Sequence, residues 1–125
     1  MENPKLPLHE DLHNVVQLIV GEQLSSVTFV QDYWQLDFGG HGFTVLTSIS
    51  VTENGKSVRS GEDQFRNRLC EQIAKIVRSV EFTKDALTII FVDDCAISVP
   101  VRQKDYKGPE ALHFKSYKIK TLYVV

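Results

Sequence analysis

Residues 26–38 read SVTFVQDYWQLDF, and residues 79–91 read SVEFTKDALTIIF. The two stretches align without a gap at a spacing of 53 positions. Ser26/Ser79, Val27/Val80, Phe29/Phe82, Asp32/Asp85 and Phe38/Phe91 are identical, while Trp34/Leu87 and Leu36/Ile89 stay apolar. A fixed internal period is the mark of a repeated structural unit. Within each stretch, apolar and polar residues alternate, which predicts two strands. A short turn joins them, at Gln31-Asp32 in the first copy and at Lys84-Asp85 in the second.

The same spacing extends backward, pairing Leu12/Phe65, Asn14/Asn67, Val16/Leu69, Val20/Ile73 and Leu24/Val77 in a helical rhythm. The first helix is predicted from Leu8 to Val20, with a stripe of Leu8, Leu12, Val15, Val16 and Ile19 and a stop at Gly21. The second carries Ser60 as its cap, with Asp63 at capping-box spacing and a stripe of Phe65, Leu69, Ile73, Ile76 and Val77. Forward, the spacing pairs residues 43–46 with 96–99 as a third strand in each copy. Residues 89–92 are apolar on both faces, which predicts a central strand covered by a helix. GGHG at 39–42 and the Asp93-Asp94-Cys95 stretch mark the matching hairpin turns, and Asn54-Gly55 within ENGK predicts a type I′ turn. The end, ALHFKSYKIKTLYVV, predicts two strands turning near Lys115 or Ser116. QKDYKGP, closed by Pro109, is the longest predicted loop. TLYVV is apolar on both faces and offers an edge for pairing with another chain.

These elements predict an α+β fold in one domain, residues 1–125. Two helix-plus-antiparallel-meander units, about 8–58 and 61–115, form two packed antiparallel sheets, and a C-terminal strand follows at 117–125. Duplicated meanders with a helix between them resemble the Whirly-type fold, which implies two four-stranded sheets packed crosswise. At 125 residues with 42% hydrophobic and 24% charged residues, the chain can bury a core without disulfides or metal. The start, MENPKLPLHEDL, has no charged region followed by an apolar run, and no apolar stretch is long enough for a bilayer. Cys70 falls in a helical pattern and Cys95 in a strand pattern, neither in a C-x-x-C pair, and they read as buried free thiols in a reducing cytoplasm.

Four local patterns invite chemistry. HEDLH places His9, Glu10 and His13 in the helical zinc-hydrolase spacing H-E-x-x-H, which needs a third protein ligand. Val16 and Ile19 stand where the extended motif continues, Glu22 is too near, and Glu53 sits in a turn. The repeat aligns the three residues with Glu62, Asp63 and Arg66, merely polar positions, so the match reads as fortuitous and the histidines as the solvent-side margin of the helix. GGHGF lacks the following helix that would hold an anion. Asp93 and Asp94 lack the spacing of a calcium loop. Neither cysteine lies in a nucleophile motif, and no Ser sits in a G-x-S-x-G elbow. The reading is therefore a non-enzyme, with no cofactor and no metal.

What is left is recognition. The net charge of −2 lacks the basic surplus of a general nucleic-acid binder. Acids gather in turns and at exposed strand positions: Asp32, Asp37, Glu53, Asp85, Asp93, Asp94, Asp105 and Glu110, with Tyr33 beside them. Such a surface steers toward a basic partner. In size, charge and duplicated plan the chain resembles the immunity proteins of bacterial contact-dependent growth inhibition. That resemblance implies a cytoplasmic protein that covers the active site of a toxin, a basic nuclease domain, with the acids and Tyr33 as partner-binding residues. The alternative reading is a Whirly-like module for single-stranded nucleic acid. It uses Tyr33, Trp34, Phe43, Tyr106, Phe114, Tyr117 and Tyr123 as candidate stacking rings and Lys115, Lys118 and Lys120 as cations. The third is a zinc hydrolase.

Overall fold

The computed structural model describes residues 9–125. Leu8 lies outside them, as do the side chains of His9 and Glu10. The chain runs α1 (His9–Val16), a 3-10 turn (Gln17–Ile19), β1 (Ser26–Val30), β2 (Tyr33–Phe38), β3 (His41–Val45), β4 (Ser50–Glu53) and β5 (Lys56–Arg59). It continues through α2 (Phe65–Cys70), β6 (Val77–Phe82), β7 (Ala86–Phe91), β8 (Ala96–Pro100), a 3-10 turn (Gln103–Asp105), β9 (Leu112–Ser116) and β10 (Tyr123–Val124). The fold is α+β, with two antiparallel five-stranded sheets ordered β1-β2-β3-β9-β10 and β5-β4-β8-β7-β6. A Whirly-type plan implies four strands in each.

The 53-residue spacing governs the first hairpin of each half. Val27 faces Leu36 as Val80 faces Ile89, and Phe29 faces Trp34 as Phe82 faces Leu87. The spacing then slips. Phe38 pairs with His41 across Gly39-Gly40, whose φ angles of 63° and 100° suit a two-residue turn. In the second half Phe91 N–H reaches Cys95 O around three residues, with Asp94 at φ 73°. One residue has been added, so Leu36 faces Phe43 while Ile89 faces Ile97. The counterparts of buried Phe43 and Val45 are Ile97 and Val99, not Ala96 and Ser98 as the constant spacing predicts. A strand shifted by one residue turns its other face inward, and burial selected the register.

The fourth strands also depart from two separate meanders. The β4–β5 hairpin follows β3 in the chain but pairs with β8, and the β9–β10 hairpin follows β8 but pairs with β3. Each sheet is three strands of one half completed by a hairpin of the other. Asn54 and Gly55, at φ 51° and 78°, close the β4–β5 hairpin in the predicted type I′ manner. Where the halves meet, the backbone bonds are reciprocal. Gly21 N–H donates to Val77 O at 2.9 Å, and Ala74 N–H donates to Leu24 O at 2.7 Å. Leu24 N–H donates to Lys75 O, and Val77 N–H to Glu22 O. Donor and acceptor exchange under the 53-residue spacing, the pattern of a local twofold. Ala74 even shares the left-handed φ of Gly21, 80° against 88°.

The helices are shorter than predicted. α1 gives way to a 3-10 turn, with Leu12, Val16 and Ile19 buried. α2 ends at Cys70, so Ile73 and Ile76 lie beyond it, 39% and 40% exposed, while Phe65, Leu69 and Val77 are buried. Ser60 does not cap α2. The chain turns once more before the helix begins, and Ser60 Oγ instead accepts the Ile49 N–H at 3.2 Å. β7 is interior to its sheet, but only Leu87, Ile89 and Phe91 are buried; Ile90 is half-buried and Val92 exposed, so among the described residues no helix covers its outer face. β9 runs through Ser116 and the chain turns over 117–122. Residues 123–125 are half-buried, and Val125 exchanges bonds with Ala111 and Leu112, so TLYVV is largely used within the chain. Cys95 is half-buried and Cys70 exposed, against the expectation of two buried thiols. The core is a single cluster drawn from both sheets, with Phe38, Phe43 and Phe114 from one and Leu87, Ile89, Phe91 and Ile97 from the other. Among the described residues no helix is long and apolar enough to cross a membrane.

Candidate functional site

Strand alternation that sends Leu36, Phe38, Phe43, Val45, Leu112 and Phe114 inward sends their neighbours to the outer face of the first sheet. Two cross-strand rows result: Ser26–Asp37–Gly42–Lys115 and Thr28–Gln35–Thr44–His113. Gly42 and Thr44, side by side along β3, leave a low floor, and residues 117–122 line its side. The groove holds about 720 Å³. Tyr117 and Leu122 stand on its wall, 70% and 49% exposed, with Lys115 and Lys120 beside them.

The wall is held from beneath. The buried His41 ring lies 5.3 Å from the Tyr117 ring, and its Nδ1 is 2.7 Å from Ser116 Oγ. Ser116 Oγ also accepts the Lys118 N–H at 3.1 Å. Ser116 is itself buried, so this His–Ser pair ties β3 to β9 rather than presenting a nucleophile. Gly40 adopts φ 100°, and a Cβ there would stand 2.7 Å from Tyr117 Cδ1. Asp37 accepts hydrogen bonds from Ser25 Oγ at 2.9 Å and Gly40 N–H at 3.3 Å, fixing its carboxylate one residue across from Lys115. Both signs of charge therefore sit on one floor.

The acids singled out in the sequence do not gather on one face. Asp37 lines the groove; Asp32 is exposed at the β1–β2 turn and Asp85 at the β6–β7 turn, with Tyr33 half-buried in β2. The other five are tied to bases of the same chain. Glu53 accepts from Arg68 at 2.6 Å and from Gln72 at 2.9 Å, and its second oxygen lies 4.0 Å from Lys75. Asp93 pairs with Lys75 at 2.7 Å, Asp94 with Arg78, Asp105 with Arg102 at 3.0 Å, and Glu110 with His113 at 2.6 Å. Lys75 brings Glu53 and Asp93 together. Burial pulls its ammonium down, but the hydrogen bond to Asp93 helps hold it above its ordinary value. The same bond holds the Asp93 carboxyl below its usual range. Burial pushes the neighbouring Cys95 thiol up, which makes it a poor nucleophile.

His13 is not at a solvent-side margin. It is half-buried, and its Nδ1 accepts the Phe82 N–H at 3.2 Å. Among the described residues no group of three or more His, Cys, Asp or Glu is arranged to hold a metal ion. Of the candidate stacking rings, Phe43 and Phe114 are buried and pack against each other, tilted by 42° with centroids 4.7 Å apart, and Tyr117 is exposed on the groove. Thr28, Gln35, Thr44 and His113 escaped sequence reading as site residues. They occupy the polar phase of alternating strands, and their meeting depends on which strands pair. Set against protein-family models, curated proteins and solved structures, the chain matches none.

Proposed function

We propose that the chain is an immunity protein: a cytoplasmic recognition module, not an enzyme, that binds a bacterial toxin, a nuclease domain, and covers its active site. The observation that carries this reading is the groove on the first sheet. It combines a rigid floor bearing Asp37 and Lys115 with a wall of exposed Tyr117 and Leu122. Exposed aromatic anchors, tyrosine among them, inside a polar rim are what protein interfaces use. A polyphosphate strand lying on the same floor would meet the Asp37 carboxylate. The exposed turn acids Asp32 and Asp85 add long-range attraction to a basic partner. The test is co-purification with the product of the adjacent reading frame, together with protection of cells from it. Tyr117→Ala combined with Leu122→Ala should weaken the complex by about tenfold or more while the circular dichroism spectrum stays native. A wild-type chain that neither copurifies nor protects ends the proposal.

A second reading, single-stranded nucleic acid on the same groove, is favoured by Lys115, Lys118 and Lys120 around Tyr117, with Lys118 Nζ 5.9 Å from the ring. Binding of a labelled single-stranded oligonucleotide that weakens steeply with salt would support it.

A further inference from the structure

Equivalent edge strands of the two sheets end differently. β1 and β6 are the outermost strands on their sides. In the two-residue β1–β2 hairpin the closing pair, Val30 and Tyr33, exchanges both ladder bonds. Alternation assigns the next bonded pair to Thr28 and Gln35. The backbone groups of Val27 and Phe29 therefore face away from the sheet. Their counterparts on β6 belong to Val80 and Phe82, and α1 and the 3-10 turn after it meet them: Gln17 Nε2 donates to Val80 O at 2.9 Å, and Phe82 N–H donates to His13 Nδ1. At β1 the matching helix positions are Arg66 and Cys70. Arg66 lies over the Phe29 ring at 5.6 Å, Cys70 is exposed, and α2 packs on β4 and β5 instead. Among the described residues nothing bonds the outward groups of Val27 and Phe29.

Edge strands are usually protected by charge, proline or shortness. β5 carries Lys56 and Arg59, and β10 is two residues long. β1 reads SVTFV, with no charge and no proline, and Phe29 and Val30 are each 36% exposed.

We propose that β1 is a dimerisation edge that takes β1 of a second copy, antiparallel and centred on Thr28. That register sets Val27 opposite the second copy's Phe29, and Phe29 opposite the second copy's Val27. All outward N–H and C=O groups of those residues then pair, and no other centre on the strand pairs them so completely. The two facing pairs are aromatic against β-branched, a favourable cross-strand combination. The contact is isologous, with a twofold axis that closes the assembly at two copies and joins two five-stranded sheets into one. Beside β1 runs a groove of about 770 Å³ lined by Phe29, Trp34 and Phe65, and its rim carries Glu62, Asp63 and Arg66. With both signs on the rim, approach of an identical surface is not opposed by a single-sign field.

The test is molar mass by sedimentation equilibrium at rising concentration. The wild type should move from 14.2 kDa toward twice that value. Thr28 is exposed, so Thr28→Lys and Thr28→Glu can be made without touching the core. Each variant alone sets like charges face to face across the twofold axis and should stay monomeric, while an equimolar mixture should recover the dimer. Phe29→Pro removes an outward donor but no β1–β2 ladder bond and should also be monomeric. A wild type that remains at 14.2 kDa, or a dimer that persists in both lysine and proline variants, or a mixture that fails to associate, overturns the proposal. A strand of a different protein at this edge would leave the pure wild type monomeric and so counts against it. None of these masses depends on toxin binding.

Discussion

Two cysteines of the same sequence have different chemistry because of what surrounds them. Cys70 is exposed, whereas burial raises the Cys95 thiol beside Lys75 and Asp93. At neutral pH, iodoacetamide should therefore label Cys70 first, with Cys95 lagging until the protein unfolds; peptide mass mapping reads the order. Gly40 is a second case. Its φ of 100° and the Tyr117 ring at 2.7 Å from a would-be Cβ leave no room for alanine. Gly40→Ala should cost more than about 1 kcal/mol in chemical unfolding, because the residue cannot relax without moving the groove wall. Lys75 and Asp93 make stability depend on pH at both ends. The Asp93 carboxyl is depressed by the fold, so its contribution is present above its ordinary value of 3.8 and disappears as pH falls through the lower folded value. The Lys75 ammonium is raised, so its contribution holds below 10.5 and disappears as pH rises through the higher folded value. Lys75→Met should destabilise at neutral pH, by less than about 1 kcal/mol since Asp93 is half-exposed, and the gap to wild type should close in acid.

Elements differ most where the halves use the same position for different ends. The first helix and its 3-10 turn cap a sheet edge through His13 and Gln17, and the second helix, six residues long, leaves its edge open. His13→Ala should destabilise by about 1 kcal/mol, the usual net value of one such bond, as read from the urea midpoint. A neutral result would return His13 to the merely polar role its repeat partner Arg66 suggests. HEDLH thus carries a histidine with a structural bond that its motif does not announce. The hairpins make the same point. Gly39-Gly40 and the longer turn through Asp93 and Asp94 occupy corresponding places, and the extra residue shifts the third strand by one. Turn length is readable in the sequence only once it is known which apolar residues must face inward.

At the scale of the whole molecule, the crossed hairpins make the halves depend on each other. Residues 1–60 contain β4–β5, which completes the other sheet, and residues 61–125 contain β9–β10, which completes the first. Neither fragment alone can bury its share of the common core. Separate peptides covering the two should be largely unstructured by circular dichroism, and mixing them should restore the native spectrum. A fragment 61–125 that unfolds cooperatively alone would show the halves to be independent. The full chain should unfold in one transition.

Periodicity and turn chemistry determined the α+β class, the first two strands of each half, the Asn54-Gly55 hairpin and core residues such as Leu12, Val16, Leu36, Phe38, Leu69, Leu87, Ile89 and Phe91, because alternation, helical stripes and turn residues are local properties. Other features rested on distant parts meeting. These are the exchange of hairpins between sheets, the one-residue slip before β8, the pairing of five predicted surface acids with their own chain's bases, and the polar rows of the groove. The strand order is the physical reason. Lys115 and Asp37 are 78 positions apart in the chain and one residue apart across Gly42, a relation no local pattern encodes.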